Sequence, residues 1–186
     1  MACSILYAFF QETLEEFGAV FWCDVTMRFN SSSLEPEIST QGLIYGFTSW
    51  STSDAYPTST FTHYNMFRFF NTSHDRFYFH RMVDPSIAIY YNTKTLNQKL
   101  MLPWVKCALD YDCLHPLGAQ PLGCNYHHKP KYIYAGCHKY DKAPFNVLAG
   151  LMFDFDTPYL CNKPLFSREV LANAKSVTNM SKAAFS

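Results

Sequence analysis

Four cysteines within 31 residues, Cys107, Cys113, Cys124 and Cys137, restrict this chain more than any other feature. Gaps of five, ten and twelve residues separate them, without the close C-x2-C pairs of a structural zinc site. Two disulfides fit better, and four cysteines leave three connectivities open. We expect Cys107 to pair with Cys137 and Cys113 with Cys124, a nested arrangement tying the segment around Trp104 to the loop after Gly136. Such bridges persist in an oxidising compartment. Three glycosylation triplets, Asn30-Ser31-Ser32, Asn71-Thr72-Ser73 and Asn179-Met180-Ser181, add weaker support for the secretory-pathway lumen or the cell exterior.

The N-terminus carries no signal pattern. Met1 to Phe10 is apolar, but no basic region precedes it and no small-residue cleavage site follows. The spacing of Ile5, Leu6, Phe9, Phe10, Leu14 and Phe17 is helical, and Gly18 suits the position just past a helix end. The chain therefore reads as opening inside a domain, with no signal or anchor of its own. No apolar run approaches the ~18 residues of a membrane span.

A length of 186 residues suits one domain with a sizeable core, and 48% hydrophobic residues suit a folded one. Net charge is zero and no basic patch stands out, which argues against nucleic acid as a partner. The pattern predicts helices over 4–17, 63–71, 95–109 and 141–153, the third interrupted at Pro103. Strands are expected at 19–24, 43–48, 77–83, 86–91 and 133–135. Residues 30–42, 48–62 and 110–131 read as loops. Alternating strands and helices point to an α/β layer architecture. The run 19–24 is continuously apolar, as in a parallel strand covered on both faces. We expect one domain over 1–160 and a C-terminal tail over 161–186.

Two places carry chemistry. Asp24 follows the apolar run Ala19–Cys23, and ligands of open α/β sheets bind beyond the carboxyl ends of strands. Its carboxylate suits a hard divalent cation, and Thr26 shares its side of an extended chain. The plainer alternative has Asp24 capping a turn or pairing with Arg28. His138 and Asp141 stand three apart at the entry to the helix over 141–153. There His138 is a candidate metal ligand and Asp141 a carboxylate facing an acceptor. The plainer alternative makes Asp141 an N-cap and His138 an ordinary loop residue.

The stretch Glu16-Phe17-Gly18, followed by Phe21-Trp22-Cys23-Asp24-Val25-Thr26-Met27-Arg28-Phe29, resembles the centre of a nematode-expanded family of uncharacterised luminal proteins. Three further blocks resemble that family in order: Thr62-His63-Tyr64-Asn65-Met66, Pro103-Trp104-Val105-Lys106-Cys107-Ala108-Leu109 with Asp112-Cys113, and Gly136-Cys137-His138-Lys139-Tyr140-Asp141 continuing to Asn146. The family in turn is similar to nucleotide-sugar glycosyltransferases of the GT-A type. The resemblance implies a partial GT-A-like mixed sheet with flanking helices and a disulfide-stapled loop. It implies a metal-assisted glycosyltransferase of the Golgi or ER lumen, using Mn2+ or Mg2+. Its partners would be a nucleotide sugar and a glycan or glycoprotein acceptor. Asp24 and His138 would hold the metal, Thr26 and Arg28 the diphosphate, and Asp141 and Asn146 the acceptor. Thr26 stands where the GT-A pattern has a second carboxylate. The first strands of that plan, which hold the nucleotide base, are absent here, so the resemblance implies an N-terminally truncated domain. The other function class is a non-catalytic, disulfide-stabilised luminal binding or vestigial domain.

Overall fold

In the computed structural model, residues 2–30, 41–50, 53–161 and 166–168 are described. The expected loop over 30–42 falls mostly outside them, as does the tail beyond residue 168. Helix α1 (Ala2–Phe17) ends at Gly18, whose φ of 77° and N–H bond to Leu14 O (3.0 Å) make it the expected C′ residue. Strand β1 (Ala19–Cys23) follows directly. After β2 (Met27–Phe29) come α2 (Gln41–Tyr45) and β3 (Phe47–Ser49), where a single strand over 43–48 was expected. The Ser/Thr-rich segment expected to be a loop forms β4 (Ser53–Pro57) and a buried 3-10 turn, Thr58–Phe61.

Helix α3 (Tyr64–Phe69) leads to a 3-10 turn, His74–Phe77, and then to β5 (Arg81–Val83) and β6 (Ile87–Tyr91). The next helix is not broken at Pro103. It runs from α4 (Lys94–Leu96) through a π turn, Asn97–Met101, into α5 (Leu102–Leu109), with Pro103 in the first turn of α5. Pro103 has no N–H to give the helix ladder, and the π turn directly before it is where the ladder departs from α-helical spacing, Leu102 N–H donating to Asn97 O. The short α6 (Tyr111–Leu114) and the long α7 (Lys142–Met152) follow. The stretch expected as a strand over 133–135 is irregular. Beyond residue 160, β7 (Phe166–Arg168) pairs with β2, so this part of the sequence adds a strand to the structure.

The sheet corrects one expectation. Its order is β1-β6-β3 and both pairings are antiparallel, Trp22 and Ser49 each facing Ala88 from opposite sides of β6. Strand β1 is therefore an edge strand of this sheet, not a central parallel one. Its residues are half-buried rather than enclosed on both faces. Among the described residues the one parallel contact is the isolated bridge of Ser49 with Leu160.

Strand alternation divides the core. Val20, Trp22, Ala88, Tyr90 and Phe47 meet Phe10 and Leu14 of α1, the helix around Leu96–Trp104, and Phe145 and Leu148 of α7. Phe47 stacks on Tyr90 (5.6 Å) and lies 4.6 Å from Tyr159. The opposite face gathers Ile87, Ile89, Phe21 and Cys23 with Trp50, Met27 and Phe166.

Two disulfides form, but not in the nested arrangement. Cys107 bonds Cys113, and Cys124 bonds Cys137, with Cα separations of 5.2 and 4.7 Å. The cause is local. Asp110 ends α5 and its carboxylate accepts the Cys113 N–H at 2.9 Å, folding α6 back so that Cys113 meets Cys107. Asn125 N–H donates to Ala135 O at 2.8 Å, drawing Cys124 beside Cys137.

Candidate functional site

Asp24 begins a tight turn. Its carbonyl accepts the Met27 N–H at 2.9 Å, and its Oδ1 accepts from Thr26 N–H (2.8 Å) and from the Thr26 hydroxyl (2.7 Å). That is the self-capping geometry asparagine and aspartate favour in turns. Arg28 is exposed and its guanidinium donates to the carbonyls of Val25 and Met27 at 2.7 and 2.9 Å, closing the same turn.

Asp141 is exposed, and its Oδ1 accepts the Lys142 N–H at 2.9 Å at the N-terminus of α7. Asn146, one turn further, is completely buried. Its carbonyl accepts from Val83 N–H (2.7 Å), and its amide donates to Val83 O and Lys142 O (both 2.8 Å). This side chain thus extends the hydrogen bonding of β5 onto the helix and clamps the two together.

The residue that joins the two regions was missed in the sequence. Asp84 sits in the turn Asp84-Pro85-Ser86 between β5 and β6. Its Oδ2 pairs with Lys142 Nζ at 2.7 Å, and its Oδ1 accepts from the Ser86 hydroxyl. Ser86 O accepts the Asp24 N–H at 2.8 Å. The Asp24 turn, the Asp84–Ser86 turn and the start of α7 therefore form one hydrogen-bonded edge beyond the carboxyl end of β1. The only sequence signal was an aspartate ahead of a Pro-Ser turn, which reads as a turn and nothing more.

His138 lies elsewhere, in the interior. It is fully buried, and its Nδ1 accepts the His63 N–H at 3.2 Å. Burial lowers its pKa to about 4. His63 and His115 also disfavour the charged ring, while the carbonyls of Phe61 and Leu114 oppose the shift. The same segment is ringed by other imidazoles. His80 Nδ1 bonds the Thr58 hydroxyl (3.0 Å), His74 Nε2 contacts Ser59 O (3.0 Å), and His63 Nδ1 caps α3 by accepting from Asn65 N–H (3.2 Å). Desolvation lowers the pKa of His63 and His74 and takes His80 to about 4. Residues 58–63 thus sit in a collar of four neutral histidines. The blocks around His63 and His138 were recognised separately, but only the fold brings them into contact.

Asp24 and Thr26 offer the hard oxygens that Mg2+ or Mn2+ takes. In His138, by contrast, one ring nitrogen is engaged by the backbone and the ring is sealed from solvent. Among the described residues no group of three or more His, Cys, Asp or Glu side chains gathers as a metal cage. No helix among them is long and apolar enough to cross a membrane. No protein-family model, curated protein or solved structure matches the chain.

Proposed function

We propose that this chain is a glycosyltransferase-like luminal domain of GT-A descent. It takes the diphosphate of a nucleotide sugar at the edge formed by the Asp24 turn, the Asp84–Ser86 turn and the start of α7. One observation supports this above others: residues 24, 84–86 and 141–146, distant in sequence, are hydrogen-bonded into one polar edge beyond the end of a strand. That edge gathers the Asp24 carboxylate, the Thr26 and Ser86 hydroxyls and the exposed Asp141 carboxylate, hard oxygens of the kind a divalent cation takes. Asp24 and Thr26 would hold a divalent cation, which supplies charge neutralisation for the leaving diphosphate. Arg28 lies beside them, and Asp141 is the exposed carboxylate nearest an incoming acceptor.

A second reading, a non-catalytic binding domain, is favoured by Asn146. All of its hydrogen bonds serve the Val83–Lys142 clamp and none of its surface is exposed. Such a residue cannot touch an acceptor without breaking the clamp.

Isothermal titration of UDP- and GDP-sugars with and without manganese, alongside a hydrolysis assay, separates the two. Manganese-dependent binding that falls at least about tenfold in Asp24→Asn, with turnover, supports the enzyme. Asparagine retains the turn-capping oxygen, so that variant is expected to fold. Binding without turnover supports the second reading. Absence of manganese-dependent binding rejects the nucleotide-sugar function.

A further inference from the structure

We propose that Asn71 carries an N-linked oligosaccharide. Of the three glycosylation triplets, Asn71-Thr72-Ser73 is the one that lies wholly among the described residues. It forms the turn that ends α3. Asn71 N–H donates to Arg68 O (3.0 Å), Thr72 N–H donates to Phe67 O (2.9 Å), and Asn71 has a φ of 52°. The six-residue span of the longer bond is that of a Schellman-type helix end. The plainer account of Asn71 is that asparagine tolerates the left-handed conformation better than other non-glycine residues. Ser73 has a plain role too, at the N-cap of the 3-10 turn His74–Phe77 with its side chain bonded to Asp75, so the proposal stands on the triplet spacing together with the exposure of both residues.

The turn presents the acceptor well. Asn71 and Ser73 are both exposed, while Thr72 between them is half-buried, its hydroxyl 3.5 Å from Arg76 Nη1. A modification at Asn71 points away from the core and leaves the helix-closing backbone bonds intact. The donor class is a lipid-linked oligosaccharyl diphosphate. In the transfer, Asn71 Nδ2 forms a bond to C1 of the sugar and the C1–O bond to the diphosphate breaks. The bonding pair leaves on the diphosphate, one amide proton passes to a base, and nothing is oxidised or reduced. The proposal depends on the oxidising lumen that two disulfides support, and not on nucleotide-sugar binding.

The position also has a use. Tyr64, Phe69 and Phe79 are exposed by 44, 37 and 91% on the segments flanking this turn. Tyr64 packs on His74 at 4.4 Å, and His74 on Tyr78 at 5.3 Å, so these three rings form one cluster across the turn, while Phe69 and Phe79 are exposed separately. A hydrated oligosaccharide beside them keeps apolar rings from associating between molecules.

The test is to direct the full chain into the secretory pathway of a eukaryotic host with a supplied signal. This keeps the outcome independent of how the chain naturally enters the lumen. The purified protein is treated with peptide-N-glycosidase and mapped by mass spectrometry. We expect a mobility shift and conversion of residue 71 to aspartate. Asn71→Gly keeps the left-handed turn, and Ser73→Ala keeps Asn71 itself. Both should abolish the conversion at residue 71 while retaining a cooperative melt, and both should scatter more light at equal concentration. An unmodified Asn71 in the secreted wild-type chain overturns the proposal. Equal scattering by glycosylated and unglycosylated forms overturns the shielding role.

Discussion

Acid should loosen this fold through the histidine collar. His80 and His138 are 4% and 0% exposed, and burial takes both pKa values to about 4. The unfolded chain binds the same protons at about pH 6.5. A folded pKa below the unfolded one means that the native state holds the neutral ring. The stability this contributes is complete above about pH 6.5 and drains away as pH falls toward 4. For one such histidine, moving from about pH 7 to about pH 5 removes about 2 kcal/mol, and for the two together about 4 kcal/mol. In a domain of this size that lowers the melting temperature by roughly 8–16 °C. His63 and His74 shift in the same direction and add to the trend. Thermal melts by circular dichroism across this pH range measure the slope directly. A background slope from carboxylates is removed by comparison with His80→Gln, His138→Gln and the double variant. The slope, not the absolute stability, is the readout: each single change should remove about 1.4 kcal/mol per pH unit from it near pH 5. A double variant with the wild-type slope would refute the collar as the acid-sensitive element, as would imidazole resonances in the native protein titrating near pH 6.5.

Three further outcomes follow from the geometry. Replacing both Cys124 and Cys137 by alanine should cost about 3 kcal/mol, and replacing Cys107 and Cys113 about 2 kcal/mol, because the second loop is shorter; urea titrations under oxidising conditions compare them. Asn146→Ala leaves the buried N–H and C=O of Val83 without their partner and should destabilise by about 3 kcal/mol or more, seen as a lowered unfolding midpoint. Gly42→Ala places a Cβ 2.3 Å from a Tyr91 ring carbon and 3.1 Å from the Thr48 hydroxyl, so it should cost about 1–3 kcal/mol, whereas unchanged stability would mean that the Tyr91 ring swings aside freely.

Much of the secondary structure could be read from local pattern. The apolar spacing of Phe10 and Leu14 marked α1, Gly18 marked its end, the run from Ala19 marked β1, and the 141–153 pattern matched α7. These signals are local: a helix stripe, a left-handed cap and a run of strand formers each act within a few residues of themselves. The cysteine count likewise determined that the loop would be stapled. Which cysteine met which was decided by Asp110 and Asn125, whose hydrogen bonds turn the chain back on itself. The placement of β1 at an edge was tertiary as well. An apolar strand looks the same whether parallel neighbours cover it or helix α1 and Phe21's aromatic partners do. The roles of the polar residues depended most on the fold. Asn146 became a clamp because the N–H and C=O of Val83 in β5 face α7, Asp84 became a junction because Lys142 reaches it, and His138 became a core group because the Thr58–His63 segment closes over it. Residue type determines what a polar side chain can bond, but burial and the nearest backbone decide what it does bond.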